Sequence, residues 1–194
     1  MDKVALLREV EKRCRNAELP LKEGAKHLVF GKGSADAQIL FIGEAPGANE
    51  DEQGMPFVGT AGKNLDKLLV GVGLTLNEVY VANVLKYRPP ENRNPLPGEI
   101  ALHAPWLLEQ IRALHPRVIC TLGNYATKLV LSNFIVEKMN EQLGITHMHG
   151  KVHSLKLQGL DVTLVPLFHP AAIIYNQKLK PLWEADMHVV KGLL

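Results

Sequence analysis

The segment QILFIGEAPG (residues 38–47) decides the fold prediction, because the apolar run at 38–42 ends abruptly at Gly43 in a glycine- and proline-containing turn. Three runs of the same kind follow, at VYVANV (79–84), VICTL (118–122) and VTLVPL (162–167). Runs that are nearly apolar throughout are typical of parallel strands covered by helices on both faces. Pro166 has no amide hydrogen, so it marks the end of the last strand or an exposed edge.

Segments with helical periodicity lie between these strands. In residues 62–72 the apolar side chains are spaced i, i+3, i+4 and i+7, which places them on one helix face. They are Leu65, Leu68, Leu69 and Val72. Residues 97–114 begin with a proline, which the first turn of a helix tolerates. The side chains that we expect to face inward from this second helix are Ile100, Leu107, Leu108 and Ile111.

Further helices are predicted at residues 124–131 and 181–190, and a β-like stretch at 152–157. An N-terminal helix is predicted at residues 3–15, with Val4, Leu7 and Val10 as its buried face. Strands that alternate with helices indicate parallel pairing through crossover connections. The prediction is therefore an α/β fold, a three-layer αβα arrangement around a central four-stranded, mainly parallel sheet.

Length and composition limit the classes of protein that fit. A chain of 194 residues corresponds to one domain at roughly 150 residues per domain, so we expect a single domain over 1–194, with a helical segment at 1–27 packed on it. The net charge of +2 gives no indication of nucleic-acid binding from bulk charge. No apolar run reaches the roughly 18 residues of a membrane span, and MDKVALLREVEKR does not have the pattern of a signal peptide.

Two cysteines, Cys14 and Cys120, are too few for a disulfide framework and suit a reducing compartment. Together with the absence of a signal pattern, this leads us to expect a soluble cytoplasmic protein.

Polar side chains follow three of the four predicted strands. In open parallel sheets, ligands bind outside the carboxyl ends of the strands. The loop after the first strand carries GEAPGANED (43–51) and GMPFVG (54–59), the second strand ends near Asn83, and HPAA (169–172) follows the last. An acid, an aromatic ring, an amide and an imidazole are thus predicted to meet at one edge, from Glu44, Phe57, Asn83 and His169.

Each of these features also has a simple structural explanation. Gly43 and Gly47 would serve a tight turn, the acidic loop around Glu44 would be solvated, Phe57 would be core, and His169 would cap a helix or sit satisfied in the core. The chain has neither a G-x-G-x-x-G fingerprint nor a P-loop lysine, which disfavours a nucleotide cofactor. Their joint placement at strand ends favours a functional site.

At these residues the chain resembles the family-four uracil-DNA glycosylases, the thermostable bacterial and archaeal type. The resemblance covers about residues 28–194, and its segments are GEAPGANEDEQGMPFVGTAGKNLDKLL (43–69), VYVANVLKYRPPENRNPLPGEI (79–100), RVICTLGNYA (117–126) and FHPAAI (168–173). It implies a monofunctional hydrolase of the bacterial or archaeal cytoplasm that flips uracil out of DNA, cleaves its N-glycosidic bond and releases free uracil. We expect a monomer.

The resemblance also implies roles in the pocket. His169 stabilises the negative charge that develops on uracil, and Glu44 orients the attacking water, because Ala45 stands where many relatives have an aspartate. Glu50 and Asp51 are secondary candidates for that acid. The residues implied to bind uracil are Gly43, Ala45, Phe57, Asn83 and His169.

For the DNA backbone, the resemblance implies small and basic residues around the pocket. The helix that opens at Gly59, Thr60, Ala61, Gly62 and Lys63 offers amide groups to an anion. Lys86, Arg88 and Arg93 are placed to reach phosphates, although exposed basic side chains are usually only solvated. Ala171, Ile173 and Ile174 follow His169-Pro170, where relatives insert an apolar wedge into DNA; core burial is equally compatible with Ile174.

One departure from the family pattern concerns its [4Fe-4S] cluster. The four cluster positions fall on Cys14, Ala17, Tyr87 and His103, so only one cysteine is present. Because such a cluster ordinarily needs four thiolates, we predict no cluster, with Tyr87 and His103 packing the vacated space. A different metal held by Cys14 and His103 is the alternative.

Other functions stay open at the level of sequence. The pocket could accept other deaminated bases such as hypoxanthine or xanthine, or the chain could be a catalytically silent DNA-binding relative. A covalently trapping relative is disfavoured, since no histidine occurs in residues 86–95.

Overall fold

A six-stranded sheet forms the middle layer of the computed structural model, which describes residues 2–194. Its strands are β1 (Lys32–Gly33), β2 (Ile39–Gly43), β3 (Val79–Asn83), β4 (Val118–Leu122), β5 (His153–Leu157) and β6 (Leu160–Leu167). They lie in the order β1-β3-β2-β4-β6-β5. The four inner strands are parallel to one another, whereas β1 and β5 pair antiparallel at the two edges.

Helices cover both faces of this sheet. They are α1 (Lys3–Asn16), α2 (Ala48–Gln53), α3 (Thr60–Gly71), α4 (Pro97–Leu114), α5 (Asn124–Leu131), α6 (Ile145–Met148), α7 (Ala172–Tyr175) and α8 (Lys180–Lys191), with 3-10 turns at Pro90–Asn92, Val136–Glu141 and Gln177–Leu179. No helix in the described part of the chain is long and apolar enough to cross a membrane.

The predicted α/β architecture is confirmed, and the four predicted strands are the inner strands of the sheet. The strand count differs, because both edges carry an additional strand. At one edge, β1 is only two residues long, too short to leave a hydrophobic pattern in the sequence. At the other, the predicted β-like stretch becomes β5, which forms a hairpin with β6 through the left-handed residues Gln158 and Gly159.

Pro166 does not end its strand, which continues to Leu167. The antiparallel partner β5 pairs only as far as His153 opposite Leu164. Pro166 therefore lies beyond the hairpin, where no β5 residue pairs with it, and its carbonyl accepts a hydrogen bond from Gly150 N at 2.8 Å.

Alternation along the strands divides the core into two layers. On β2, Leu40 and Ile42 face the layer formed with α1, α4 and α5, whereas Ile39 and Phe41 face the layer formed with α3 and α8. Trp183 anchors α8 in the second layer and is fully buried. Both faces of β2, β3 and β4 are buried along their whole length, as the apolar runs predicted.

The predicted buried face of the N-terminal helix is wrong at one end. Val4 is 41% exposed, and the buried residues of α1 are Leu7, Val10 and Cys14. The predicted stripe was one turn too early, because α1 packs against α4 and the side chain of Cys14 lies in the interface. On α4, Leu108 is only half-buried, in contrast to Leu107.

Candidate active site

A cavity of about 320 Å³ opens at the carboxyl ends of β2, β3 and β6. It brings together the four side chains singled out by the sequence, Glu44, Phe57, Asn83 and His169. The other residues that line it are Ala45, Pro46, Gly47, Glu50, Ala61, Pro89, Asn92, Arg93 and Ala171. The cavity therefore collects residues from the connections that follow three parallel strands, as the rule for parallel sheets predicts.

Asn83 is the last residue of β3 and is 1% exposed. Its Oδ1 atom is buried and has no hydrogen-bond partner among the described residues. A buried polar group without a partner costs about 1–3 kcal/mol. The cavity thus contains an acceptor that a bound molecule with an N–H or O–H donor would satisfy.

Gly43 allows this arrangement because it has no side chain. It pairs with Asn83 across the parallel strands β2 and β3. A Cβ atom at position 43 would lie 2.3 Å from Asn83 Oδ1 and 2.6 Å from Phe57 Cζ. Since real Cβ atoms do not approach other atoms this closely, any other residue here would displace the amide or the aromatic ring.

Phe57 presents its ring to the cavity from a strained backbone. Its φ of 52° lies in the left-handed region, which is uncommon for a residue with a bulky side chain. Two contacts hold the segment in place: Glu50 accepts hydrogen bonds from Val58 N at 2.9 Å and Gly59 N at 2.7 Å. In addition, Lys32 Nζ donates to Phe57 O at 2.9 Å. Strain of this kind persists only where the surroundings over-determine it.

Glu50 and Asp51, the two acids on the short helix α2, bind the main chain of neighbouring segments. Besides its bonds to residues 58 and 59, Glu50 accepts a hydrogen bond from Gly47 N at 3.2 Å, so both its oxygens are engaged. Asp51 is buried and accepts from Lys26 N at 2.9 Å and His27 N at 3.3 Å. These contacts give both side chains a structural role in holding the loops, which argues against their candidacy as the water-orienting acid.

Glu44 differs from these two acids in its surroundings. It is half-buried at the cavity wall, and burial raises the pKa of its carboxyl group. Its main-chain carbonyl accepts a hydrogen bond from Leu85 N at 3.0 Å, which ties the loop after β2 to the loop after β3. Glu44 thus places a carboxyl group of raised proton affinity at the cavity.

His169 follows β6, and its ring centroid lies 6.0 Å from that of Phe57. Burial lowers the pKa of His169 to about 4, so the imidazole is neutral near pH 7. Its Nδ1 atom accepts a hydrogen bond from Ala171 N at 3.2 Å. Because one nitrogen of a neutral imidazole accepts and the other carries the proton, Nε2 is the N–H donor.

The first turn of α3 closes one side of the cavity. A Cβ atom on Gly62 would lie 1.9 Å from Phe57 O, so glycine is needed for α3 to pack on the Phe57 segment. Ala61 lines the cavity, while Thr60 and Lys63 are exposed beside it. The amide of Gly59, predicted to bind an anion, instead donates to Glu50.

The arginines near the cavity are held by neighbouring side chains. Arg93 lines the cavity and forms a two-fold contact with Glu99, with N–O distances of 2.9 and 2.5 Å. This contact lowers the pKa of Glu99. Arg88 donates from Nε to Asn92 Oδ1 at 2.8 Å. The structure therefore orders both side chains beside the opening.

Two of the residues assigned to DNA contacts are buried. Ile173 is 6% exposed and packs in the layer of α3 and α8, so it does not project as a wedge. The exposed apolar side chains at this place are Ile174 at 42% and Tyr175 at 89%. Lys86, predicted to reach a phosphate, is fully buried. Nothing in the local sequence distinguishes this lysine from exposed ones.

The four positions that the resemblance assigns to an iron–sulfur cluster do not fit one. His103 is fully buried and uses both ring nitrogens: Nδ1 accepts from Lys86 N at 3.1 Å, and Nε2 lies 3.1 Å from Pro20 O. Burial lowers its pKa to about 4 and raises that of the Cys14 thiol to about 11. The Tyr87 ring packs edge-on against His103 with centroids 6.2 Å apart.

At the remaining position, Ala17 offers no ligand atom on its side chain. Within residues 2–194, no group of three histidine, cysteine, aspartate or glutamate side chains is arranged to hold a metal ion. The side chains at the four positions thus offer one thiol, one phenol and one imidazole whose nitrogens are already engaged, in place of four thiolates.

The chain is similar to a known protein family and to several curated proteins. The family model of the uracil DNA glycosylase superfamily matches residues 30–188. The chain is 37% identical over 196 residues to the Type-4 uracil-DNA glycosylase of Saccharolobus solfataricus, with 100% of this chain and 88% of that protein covered. It is 38% identical to that of Archaeoglobus fulgidus (93% and 87% covered) and 39% identical to that of Thermotoga maritima (97% and 93% covered).

The Glu50 contacts generate a stability prediction. Glu50→Ala removes the acceptor of three main-chain N–H groups and should lower the free energy of unfolding by about 1–3 kcal/mol, the loss expected for an unsatisfied buried group. Urea denaturation followed by circular dichroism measures it. The matched control is Glu52→Ala on the same short helix, because Glu52 is exposed and pairs only with Lys26. Equal stability of the two variants would contradict the role of Glu50.

Proposed function

Since the chain belongs to the uracil-DNA glycosylase superfamily, we propose that it excises uracil from DNA by flipping the nucleotide into the cavity and hydrolysing its N-glycosidic bond. The observation that carries this proposal is the buried, unpaired Oδ1 atom of Asn83 in a cavity that also contains Phe57, His169 and Glu44. A base inside a duplex cannot reach such a cavity, so extrusion is required, at a cost of about a few kcal/mol.

Asn83 supplies the selection of uracil in this proposal. Its Oδ1 accepts the N3–H of uracil while its amide nitrogen donates to O4. Cytosine presents an unprotonated N3 and an amino donor at the same positions, so both contacts would be mismatched. A site built around a buried polar group rejects an analogue that leaves the group unpaired by large factors. Phe57 stacks on the base, a contact worth about 1–3 kcal/mol.

The bond cleavage uses the histidine and the acid. As the C1′–N1 bond breaks, its electron pair moves onto the uracil ring, and the neutral His169 donates from Nε2 to O2, where charge develops. Donors preorganised in this way contribute about 3–4 kcal/mol in comparable sites. The Glu44 carboxylate orients a water molecule toward C1′ and accepts its proton as the new C–O bond forms. The main chain of Gly43 and Ala45 lines the base.

The surface around the opening holds the DNA backbone in this proposal. Thr60 and Lys63 on α3, together with Arg88 and Arg93, face the phosphates, and Ala171 lies at the rim. Ile174 and Tyr175 take the place proposed for the apolar wedge, since both are exposed. The partner is uracil-containing DNA, free uracil is the product, and we propose that the chain acts as a monomer in the cytoplasm.

We also propose that this chain works without an iron–sulfur cluster. The support is the engagement of both His103 nitrogens and the presence of a single thiol among the four positions. The segment from Tyr87 to the first turns of α4 is then ordered by protein contacts, chiefly the two-fold Arg93–Glu99 pair and the edge-on Tyr87–His103 packing.

The cluster proposal predicts a colourless protein. After anaerobic reconstitution with ferrous iron and sulfide, the purified chain should bind no stoichiometric iron and should show no charge-transfer absorption, because four thiolates are lacking. Iron analysis and visible spectroscopy measure this. A variant that combines Ala17→Cys, Tyr87→Cys and His103→Cys restores four thiols and serves as the comparison. Stoichiometric iron and sulfide on the unaltered chain would contradict the proposal.

The two pKa shifts predict the pH profile of excision. Glu44 acts as a carboxylate, and burial raises its pKa above the ordinary glutamate value of 4.5. The single-turnover rate should therefore rise with pH as Glu44 loses its proton, and this limb of the profile should lie in a pH range above 4.5. His169 stays neutral down to about pH 4, so no limb should appear near the ordinary histidine value of 6.5. Glu44→Gln should remove the limb and lower the rate by about a hundredfold or more. A limb near 6.5 that persists in Glu44→Gln would contradict the neutral His169.

The function is tested on a labelled duplex with one U:G pair, followed by alkaline cleavage at the abasic site. The unaltered chain should cut at uracil, whereas no product from the folded protein would favour the silent DNA-binding alternative. Duplexes with hypoxanthine or xanthine test the broader substrate range.

In the same assay, Asn83→Asp should lose its preference for uracil over cytosine. A carboxylate only accepts hydrogen bonds, so it repels O4 of uracil and attracts the amino group of cytosine. The matched control is Asn140→Asp, the same change at an exposed asparagine within the 3-10 turn Val136–Glu141, which does not line the cavity. An unchanged preference in Asn83→Asp would refute the role of this amide.

A further inference from the structure

Lys86 is a fully buried lysine only three residues beyond Asn83, and the proposed chemistry does not use it. Its Nζ atom donates to the main-chain carbonyl of Asn83 at 2.7 Å and to Gln110 Oε1 at 2.5 Å. The same atom lies 5.8 Å from the centroid of the Phe30 ring. Burying an amino group is unfavourable unless it is hydrogen-bonded, so this placement depends on those two acceptors.

The contacts of Lys86 join three separate parts of the chain. Gln110, on α4, donates in turn from Nε2 to Phe30 O at 3.0 Å. The main chain of Lys86 is also fixed on both sides, since its N–H donates to His103 Nδ1 at 3.1 Å and its carbonyl accepts from Val29 N at 2.9 Å. The end of β3 is thereby tied to α4 and to the segment before β2.

The turn between Asn83 and Lys86 is anchored at every step. Val84 N donates to Gly43 O and Leu85 N donates to Glu44 O, both at 3.0 Å. The Lys86 amino group then reaches back to the carbonyl of Asn83, the residue at which the turn begins. The main chain that carries the Asn83 amide is therefore held from its own carbonyl as well as from the next two residues.

Such an anchor matters because the Oδ1 atom of Asn83 has no hydrogen-bond partner among the described residues. A buried acceptor without a partner lowers its free energy by moving toward any available donor, and the main chain must resist that movement. Recognition of uracil depends on the position of this amide, and a displacement of about 1 Å in a catalytic arrangement can reduce the rate about a hundredfold.

We propose that Lys86 is a positioning residue for base recognition, which fixes the Asn83 carbonyl to Gln110 on α4 and so holds the Asn83 amide against the edge of uracil. This inference rests on the proposed excision of uracil. Burial lowers the pKa of Lys86 to about 7. The amino group keeps two N–H donors after loss of its proton, enough for both acceptors, so the anchor works in either protonation state.

The test removes the amino group of Lys86 and keeps the length of the side chain nearly unchanged. Lys86→Met removes both donors, and Gln110→Leu removes one of the two acceptors while leaving Lys86 in place. The matched control is Lys3→Met, because Lys3 Nζ also donates to a main-chain carbonyl at 2.7 Å, that of Leu114. Leu114 is the last residue of α4, and the short connection from it leads to the amino end of β4, whereas the cavity lies at the carboxyl ends of the strands.

Three measurements separate positioning from general destabilisation. The first is the single-turnover rate of excision from a U:G duplex, together with the ratio of that rate to the rate on a C:G duplex. The second is the affinity for a duplex that contains an abasic site. The third is the melting temperature of the protein. We expect Lys86→Met to lower the excision rate about tenfold to a hundredfold and to reduce the preference for uracil. The affinity for the abasic duplex should stay unchanged, since that DNA presents no base to Asn83. Gln110→Leu should also lower the excision rate and the preference for uracil, and Lys3→Met should behave as the unaltered chain.

Two results would overturn the inference. One is a folded Lys86→Met variant with unaltered rate and preference; the other is a loss of rate that only parallels a loss of affinity for abasic DNA. If Lys86→Met does not fold, Gln110→Leu decides, and an unaltered rate there would count against the anchor. An unaltered chain that leaves uracil in place would instead overturn the proposed function itself, and this inference with it.

Discussion

The close approach of three residues at the end of β2 is the constraint on which the rest of the site depends. Gly43 stands opposite Asn83 in the parallel register, and its missing side chain is the space into which the Asn83 amide and the Phe57 ring fit. Register in a parallel pair is fixed along the whole strand, so the packing of β2 and β3 also determines this contact. The packing of the two strands thus positions Gly43 and Asn83 at the cavity.

Around that contact, polar side chains bind the main chain of the loops. Glu50 holds the segment after Phe57, Lys32 holds Phe57 itself, and Lys86 holds the end of β3. Each of these side chains satisfies backbone groups that a loop would otherwise leave to water. The result is a cavity whose recognition groups are fixed before a ligand arrives, at the expense of a strained Phe57 and an unsatisfied Asn83 oxygen.

Three of the four positions that the resemblance assigns to a metal cluster, Cys14, Tyr87 and His103, belong here to the packed interior. His103 and Tyr87 contact each other, and His103 accepts a hydrogen bond from the main-chain N–H of Lys86. The amino group of Lys86 in turn donates to the main-chain carbonyl of Asn83. A change of residue type at these positions therefore also affects the cavity. It alters the contacts that order the segment following β3, which also carries the arginines beside the opening.

The sequence by itself determined the four inner strands and the loops at their carboxyl ends, because apolar runs and helical spacing are local patterns. The sequence therefore predicted correctly that Phe57, Asn83 and His169 lie together at the carboxyl edge of the sheet. Only the tertiary structure decided that Lys86 is buried and that Glu50 binds loop amides. The acceptor that satisfies Lys86 is Gln110, 24 positions further along the chain, and no local pattern records such a partner. The partners of Glu50 lie within nine residues of it, but only the folded loop brings the amides of residues 58 and 59 to its side chain.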